Sequence, residues 1–337
     1  MTETTRSDPA APGYGRRRCG RGFRYLDPSG RPLDDPGDVA RIKDLVIPPA
    51  WQDVWICPDP SGHIQAMGTD TAGRRQYLYH PDWRAERDRE KHERVLGLGE
   101  VLPKVRARLA EQLSGRGYTR ERVLAAAVRL IDLGFFRVGG ERYETENGTY
   151  GLATVLREHV TCSKGEVTFE YPAKGAKERY QSVAEEDVCK VVTGLKRRRD
   201  PGPELLAHRA SDGWHDVTTA DVNAYIQEVT GGDFTAKDFR TWHATVLAAV
   251  GLAVSTAVEG ETARRRAVAR VVQEVAGYLG NTPAVARASY IDPRVIELYE
   301  QGKTIKPVLA ELGVDVEAGE LATQGPAEAA VLKLLRS

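Results

Sequence analysis

The stretch Leu279–Pro293, LGNTPAVARASYIDP, decides how this chain is read. It has too little apolar periodicity for an ordinary core helix. Gly280 and Asn281 open it, Pro283 follows, and Tyr290 stands just before Asp292-Pro293. Proline and glycine punctuate a chain into turns. A tyrosine set between two prolines, after a polar asparagine, is therefore expected to be held out of the core and presented to a partner.

Composition bounds the setting. At 337 residues the chain is too long for one small core and suits two domains. No apolar run is long enough to cross a bilayer. The first residues, MTETTRSDPAAPGYGRRRCGRGF, lack the apolar segment of a signal peptide and read as a frayed tail over 1–22. Cys19, Cys57, Cys162 and Cys189 are scattered, which indicates neither a zinc site nor a disulfide framework. A reducing cytoplasm is the expected compartment. The 48 basic and 48 acidic residues cancel, which argues against a polyanionic partner for the chain as a whole. The charges are unevenly spread, however. LKRRRD (Leu195–Asp200) and ARRRAVAR (Ala263–Arg270) are basic clusters, each readable as a solvated helix face or as part of a basic surface.

The pattern along the chain predicts an α+β protein. Phe23 to about His80 reads as short strands and turns, a meander of three strands or so. Its last strand places Gln76 and Leu78 on one face, Tyr77 and Tyr79 on the other. From Pro81 the texture turns charged and helical, and the domain boundary is placed near Asp82–Lys91. This gives a β-rich N-terminal domain over 23–90 and a mainly α domain over 91–337. Within the latter, Arg120–Phe136 predicts a core helix striped by Val123, Ala127, Leu130 and Ile131. Val155–Ala184 predicts a small antiparallel three-stranded sheet with turns at Lys164-Gly165 and Lys174-Gly175. Helices are predicted at Glu185–Arg198, Thr218–Thr230, Thr235–Ser255, Glu261–Leu279, Pro293–Gln301 and Thr323–Leu335.

Four further places carry candidate chemistry. Arg137 follows an apolar helix and precedes Gly139-Gly140; it either caps helix carbonyls or faces an oxyanion. Lys174 and Lys177 lie in a hairpin turn, solvated or delivering an ammonium to a ligand. Lys237 and Arg240 fall in the first turn of a helix that Thr235 would cap. Cations there oppose the helix dipole, unless an anion binds the same terminus. Arg74, Arg75, Gln76, Tyr77 and Tyr79 share one strand, where aromatics are commonly core but, interleaved with cations, suit phosphate and groove contacts.

In this order, an arginine, a hairpin lysine, a KxxR helix, and an asparagine nine residues before a tyrosine, the set resembles the type IB DNA topoisomerases. It is closest in layout to the bacterial, poxvirus-like members. The resemblance runs from about Phe23 to the end and includes RxGxxxY (Arg137, Gly139, Tyr143), AKDFRTW and QYLY. It implies catalytic roles for Tyr290, Arg137, Lys174, Arg240 and Asn281, with Lys177 as a competitor to Lys174. It implies DNA contacts for Arg74, Gln76, Tyr77, Tyr79, Tyr143 and Lys177. The implied partner is double-stranded DNA, held by a monomeric clamp on the nucleoid. The implied reaction is supercoil relaxation through a 3′-phosphotyrosyl link, with no cofactor and no metal, since two arginines neutralise charge where metals do so elsewhere. Two other readings stay open: a tyrosine recombinase, which usually shows HxxR where this chain has Lys237-Asp238-Phe239-Arg240, and a non-catalytic DNA-binding protein.

Overall fold

The computed structural model describes residues 3–134, 136–139, 149–173, 177–255, 260–309 and 323–337. Packing divides the chain into two units, Met1–Glu93 and Arg94–Ser337.

The first unit is a five-stranded antiparallel sheet in the order β2-β1-β3-β4-β5. Its strands are β1 (Tyr14–Cys19), β2 (Gly22–Leu26), β3 (Gln52–Ile56), β4 (Ile64–Thr69) and β5 (Arg75–Tyr79). A short helix, α1 (Pro36–Asp44), starts at an Asp35 cap whose carboxylate accepts from the Asp38 N–H, with Pro36 in the first helical position. Ile42, Ile47, Ile56 and Ala66 form a small core, with Tyr14, Tyr25 and Leu78 packed against it. The expected tail over 1–22 is corrected here: residues 14–19 are a strand in the sheet. Composition hid it because its arginines looked solvated. Arg16 instead donates to the carbonyls of Ile47, Pro48 and Trp51 and covers Phe23 at 4.1 Å. The Tyr14 hydroxyl donates to Asp38 at 2.7 Å. The meander accordingly has five strands rather than about three.

The second unit is mainly helical, and the described residues of the chain hold ten α-helices in all. The long helix α2 (Pro81–Leu113) begins in the first unit and ends in the second. Then come α3 (Arg120–Gly134), the sheet β6 (Val160–Ser163), β7 (Glu166–Ala173) and β8 (Lys177–Ala184), and α4 (Glu186–Lys196). The hairpin of β9 (Ala207–Ala210) and β10 (Gly213–Asp216) was not foreseen. After it come α5 (Thr219–Thr230), α6 (Ala236–Val254), α7 (Glu261–Leu279), α8 (Pro283–Ser289), α9 (Pro293–Glu300) and α10 (Pro326–Leu335). The α+β class, the N-terminal sheet and the antiparallel β6-β7-β8 sheet are as the sequence predicts.

The core of this unit centres on α3, buried on nearly every side rather than along one stripe. Burial includes a carboxylate. Asp132 is fully buried and accepts from Arg106 of α2 at 2.8 and 3.0 Å, Arg129 at 3.0 Å and His243 of α6 at 3.0 Å. Arg106 continues to Glu328 of α10, which also accepts from the Trp242 indole at 2.8 Å. Burial pushes the Asp132 carboxyl up, but Arg106 and His243 outweigh it and hold it well below the ordinary carboxylate range. One carboxylate thus ties α2, α3 and α6 together. Asp132→Ala is expected to lower unfolding free energy by about 3–5 kcal/mol, because it strands buried cations without a partner. Urea unfolding checks this; a loss below about 1 kcal/mol would mean that the network relaxes around the gap.

Candidate active site

The stretch that opened the sequence reading resolves into two caps and a short helix. Gly280 ends α7 in the left-handed conformation at φ +61°. Thr282 caps α8, its side chain accepting from the Val285 N–H, and Pro283 takes the first helical position. Tyr290 closes α8 as its C-cap, and Asp292-Pro293 begins α9 in the same way. The expectation that turns and prolines hold Tyr290 out of the core is corrected: a helix carries it, and its ring is part-buried against the core. Locally the segment is fixed through Thr245 of α6. The Thr245 hydroxyl accepts from the Asp292 N–H at 3.1 Å and lies 3.3 Å from the Tyr290 carbonyl.

The last carbonyls of α7 gather three arginines. Arg179 of β8 donates to the Tyr278 carbonyl at 3.0 Å. Arg240 of α6 donates to the Leu279 carbonyl at 2.8 Å. Arg137, in the extended segment after α3, donates to the Gly280 carbonyl at 3.1 Å and to the Asn281 side-chain oxygen. Helix C-terminal carbonyls lack intrahelical partners and carry partial negative charge, so they attract cations. The capping role weighed for Arg137 is therefore real, but the capped helix is α7, not α3. Asn281 turns its other atom, Nδ2, inward, buried and without a hydrogen-bond partner among the described residues.

Tyr290 faces this cluster. The Arg240 guanidinium lies 5.3 Å from the centre of its ring. Burial alone would raise the phenol, but Arg240, by charge and hydrogen bond, and then Arg137 and Lys237 outweigh it and bring it below its ordinary value. Arg240 is itself pushed down to about 10 by burial and by the neighbouring Arg137 and Arg179. A cleft of about 420 Å³ is lined by Arg137, Tyr150, Lys237, Arg240 and Tyr290. A second hollow, of about 510 Å³, takes Arg137, Arg179, Arg240 and Asn281. Arg137 and Arg240 wall both. No carboxylate lines the Tyr290 cleft among the described residues. The arrangement can hold a tetrahedral anion against a tyrosine hydroxyl whose ionisation the neighbouring cations favour.

The α6 N-terminus differs from its expected form. Thr235 caps it with Asp238 as reciprocal partner, the Thr235 N–H and hydroxyl both donating to that carboxylate at 2.8 and 2.9 Å, and the Ala236 N–H donates to Asn223 at 3.2 Å. Lys237 remains exposed at the cleft. Of the expected site residues, the structure brings together Arg137, Arg240, Asn281 and Tyr290. Lys174 and Tyr143 lie outside the described residues, and Lys177 begins β8 opposite Ala173. In the first unit, Arg74 pairs with Asp70 at 2.9 Å and Gln76 donates to the same carboxylate at 2.9 Å. Tyr77 is exposed and stacks on Tyr79, which stacks on Trp83 at 4.6 Å. The LKRRRD cluster is no continuous basic face, since Arg198 is buried, donating to the Leu205 carbonyl and to Asp200 at 2.7 Å. Sequence reading missed Arg179. Its only signal was an arginine on the strand leading out of the lysine hairpin.

Ultraviolet difference titration against Tyr290→Phe isolates the Tyr290 phenol, and its midpoint is expected below the usual tyrosine value of about 10. Arg240→Gln should move the midpoint up, because burial then meets less opposing charge; Lys237→Gln should do so by less. A midpoint unmoved by both would remove the cations from the phenolate's surroundings.

Comparison with known proteins agrees with this geometry. Residues 80–312 match the model of the eukaryotic DNA topoisomerase I catalytic core, and residues 22–70 that of the bacterial DNA topoisomerase IB N-terminal domain. DNA topoisomerase 1B of Acanthamoeba polyphaga mimivirus is 30% identical over 274 residues, 78% of this chain and 80% of that protein. DNA topoisomerase 1B of Vaccinia virus (strain Western Reserve) is 20% identical over 233 residues, 69% and 71% of the two chains. DNA topoisomerase 1 of Drosophila melanogaster is 28% identical over 169 residues, 48% of this chain and 16% of its own. With a catalytic-core match across most of its length, and Arg137 and Arg240 walling both the cleft of Tyr290 and the hollow of Asn281, the chain belongs to the type IB DNA topoisomerases.

Proposed function

We propose that Tyr290 is the nucleophile with which this topoisomerase cuts one strand of duplex DNA. Its Oη attacks the phosphorus and gives its proton to solvent water. The bond from phosphorus to the 5′-oxygen breaks, leaving a 3′-phosphotyrosyl link and, once Lys174 gives the leaving oxygen a proton, a free 5′-hydroxyl. After rotation the 5′-hydroxyl attacks and expels Tyr290. One phosphodiester is exchanged for another, so no ATP is consumed. The observation that carries this reading is the Tyr290 phenol beside the buried Arg240 guanidinium, in a cleft that Arg137 shares. Guanidinium forks suit two phosphate oxygens at once, which lysine cannot match.

Asn281 Nδ2 supplies a neutral donor to the same oxygens. Arg179, tied to the Tyr278 carbonyl, positions the last turn of α7 under that donor. Arg137, Arg240, Asn281 and Tyr290 come from one chain, which supports a monomer. The free cysteines among the described residues suit a reducing compartment, the cytoplasm and its nucleoid. The exposure of Tyr77 in the first unit supports reading it as a DNA contact together with Tyr79, Arg74 and Gln76, and Tyr143 and Lys177 are read as contacts from the second. Each unit thus contributes its own contacts to the duplex.

Relaxation of supercoiled plasmid in EDTA without ATP tests the reading. Tyr290→Phe should bind DNA, yet give no relaxation and no covalent adduct after SDS treatment. An adduct in that variant would place the nucleophile elsewhere. Asn281 is tested separately. Asn281→Ala should slow single-turnover adduct formation by about 10²–10³-fold, the loss of one oxyanion donor. Asn281→Asp keeps the acceptor that holds Arg137 but puts negative charge where the phosphate sits, so it should be slower still. Parental rates in Asn281→Asp would take this residue out of the phosphate site.

A further inference from the structure

The hairpin of β1 and β2 carries Arg16, Arg17, Arg18, Arg21 and Arg24, and no acid stands between Tyr14 and Leu26. Only Arg16 is used by the fold, through its three carbonyls. Arg17, Arg18, Arg21 and Arg24 are exposed, and none makes an ion pair among the described residues. Arg17 and Arg24 are direct cross-strand partners. Like charges facing each other across a ladder repel, which destabilises the pair. Arg21 sits in the two-residue turn, beside Gly20 at φ +56°.

Register shows which face these residues share. Gly15 pairs with Trp55, Trp55 with Met67, and Met67 with Tyr77, so the four form one row across the sheet. Arg17 lies two residues beyond Gly15, so Arg17 and Arg24 stand on that same face. The opposite face holds the core through Tyr14, Ile56, Ala66 and Leu78. One side of the sheet therefore has exposed Tyr77 and Arg75 at one end and unpaired arginines at the other. Three strand spacings separate β5 from β1, about 14 Å. That slightly exceeds the width of the major groove, about 12 Å. A sheet that meets a groove at Tyr77 reaches the flanking phosphates with Arg17, and Arg24 stands one strand spacing farther out.

We infer that this arginine hairpin is a phosphate-backbone contact for duplex DNA, an inference that rests on reading the chain as a DNA-acting enzyme. Charge complementarity is the argument for the occupant: a chain of zero net charge places five arginines and no carboxylate on one hairpin. Protection of a sheet edge also uses charge, but it accounts only for Arg24, since β1 is an interior strand and Arg21 lies in the turn. The N-terminal domain model of the family begins at residue 22, so β1 and its arginines precede the matched region.

The test is a salt titration of duplex affinity by fluorescence anisotropy on the full chain. Each phosphate contact contributes about 0.9 to the slope of log affinity against log salt. Arg17→Gln, Arg21→Gln and Arg24→Gln combined should lower that slope by roughly 2–3 and weaken binding most at low salt. The corresponding triple lysine variant should keep the slope, because a phosphate contact needs charge rather than shape. Arg265→Gln, on α7 and paired with Glu261 at 2.6 Å, serves as a surface control and should change nothing. An unchanged slope in the triple glutamine variant would overturn the inference. So would an equal fall in the lysine variant, which would point to a damaged sheet. A parent protein that binds duplex DNA with the expected slope but forms no covalent adduct would overturn the Tyr290 reading alone.

Discussion

The arginine cluster that Tyr290 faces depends on the C-terminal turn of one helix. Three guanidiniums within one cleft repel one another, and Arg240 is buried as well. The carbonyls of Tyr278, Leu279 and Gly280, at the end of α7 and its cap, each accept from a different arginine. Those arginines come from β8, α6 and the segment after α3, elements far apart in sequence. The helix end is thus the hub on which they converge. Gly280 is needed there for a local reason. Its φ of +61° suits glycine, and a Cβ at that position would meet Arg179 Nη1 at 3.0 Å. The chain then turns at Asn281 into α8 and delivers Tyr290 to the same cluster.

This helps explain which parts of the site could be read from sequence. Arg137, Arg240, Asn281 and Tyr290 were legible together, because their order along the chain resembles the family's constellation; chemistry fixes where such groups sit in space and leaves their chain order free. Arg179 was not legible. It acts through a backbone carbonyl, and any arginine on a strand can do that. The α8 helix was also hidden, since seven residues with one buried alanine leave no periodic stripe. Pro283 looked like a break, yet it occupies a first helical position, where a missing N–H costs nothing, as Pro293 does at the helix start that the sequence predicts.

Charge was the least legible property. Arg16, Arg106 and Arg198 are structural, bound to carbonyls or buried carboxylates. Arg17, Arg21 and Arg24 are exposed and unpaired among the described residues. In sequence the two groups are indistinguishable: Arg16 and Arg17 are adjacent, as are Arg198 and Arg199. Strand alternation separates the first pair and tertiary burial the second. A count of 48 against 48 averages over all of them, so net charge argued against a polyanionic partner that the arrangement favours.

The cleft is also ordered in advance of any ligand. Buried polar atoms without partners are uncommon, because each forgoes a hydrogen bond that water would supply. Asn281 Nδ2 is such an atom, while Asn281 Oδ1 is engaged by Arg137. The side chain is therefore oriented: its acceptor faces an arginine, which fixes its donor toward the hollow that Arg137 and Arg240 also line. Reorientation of dipoles during a reaction adds to its barrier, and a donor already aimed avoids that cost. The buried Asp132 network works from beneath to the same end, fixing α3 one turn before Arg137 and α6 one turn after Arg240 through His243. The cations are thus placed by hydrogen bonds to backbone and buried carboxylate, so holding them in place does not depend on the substrate.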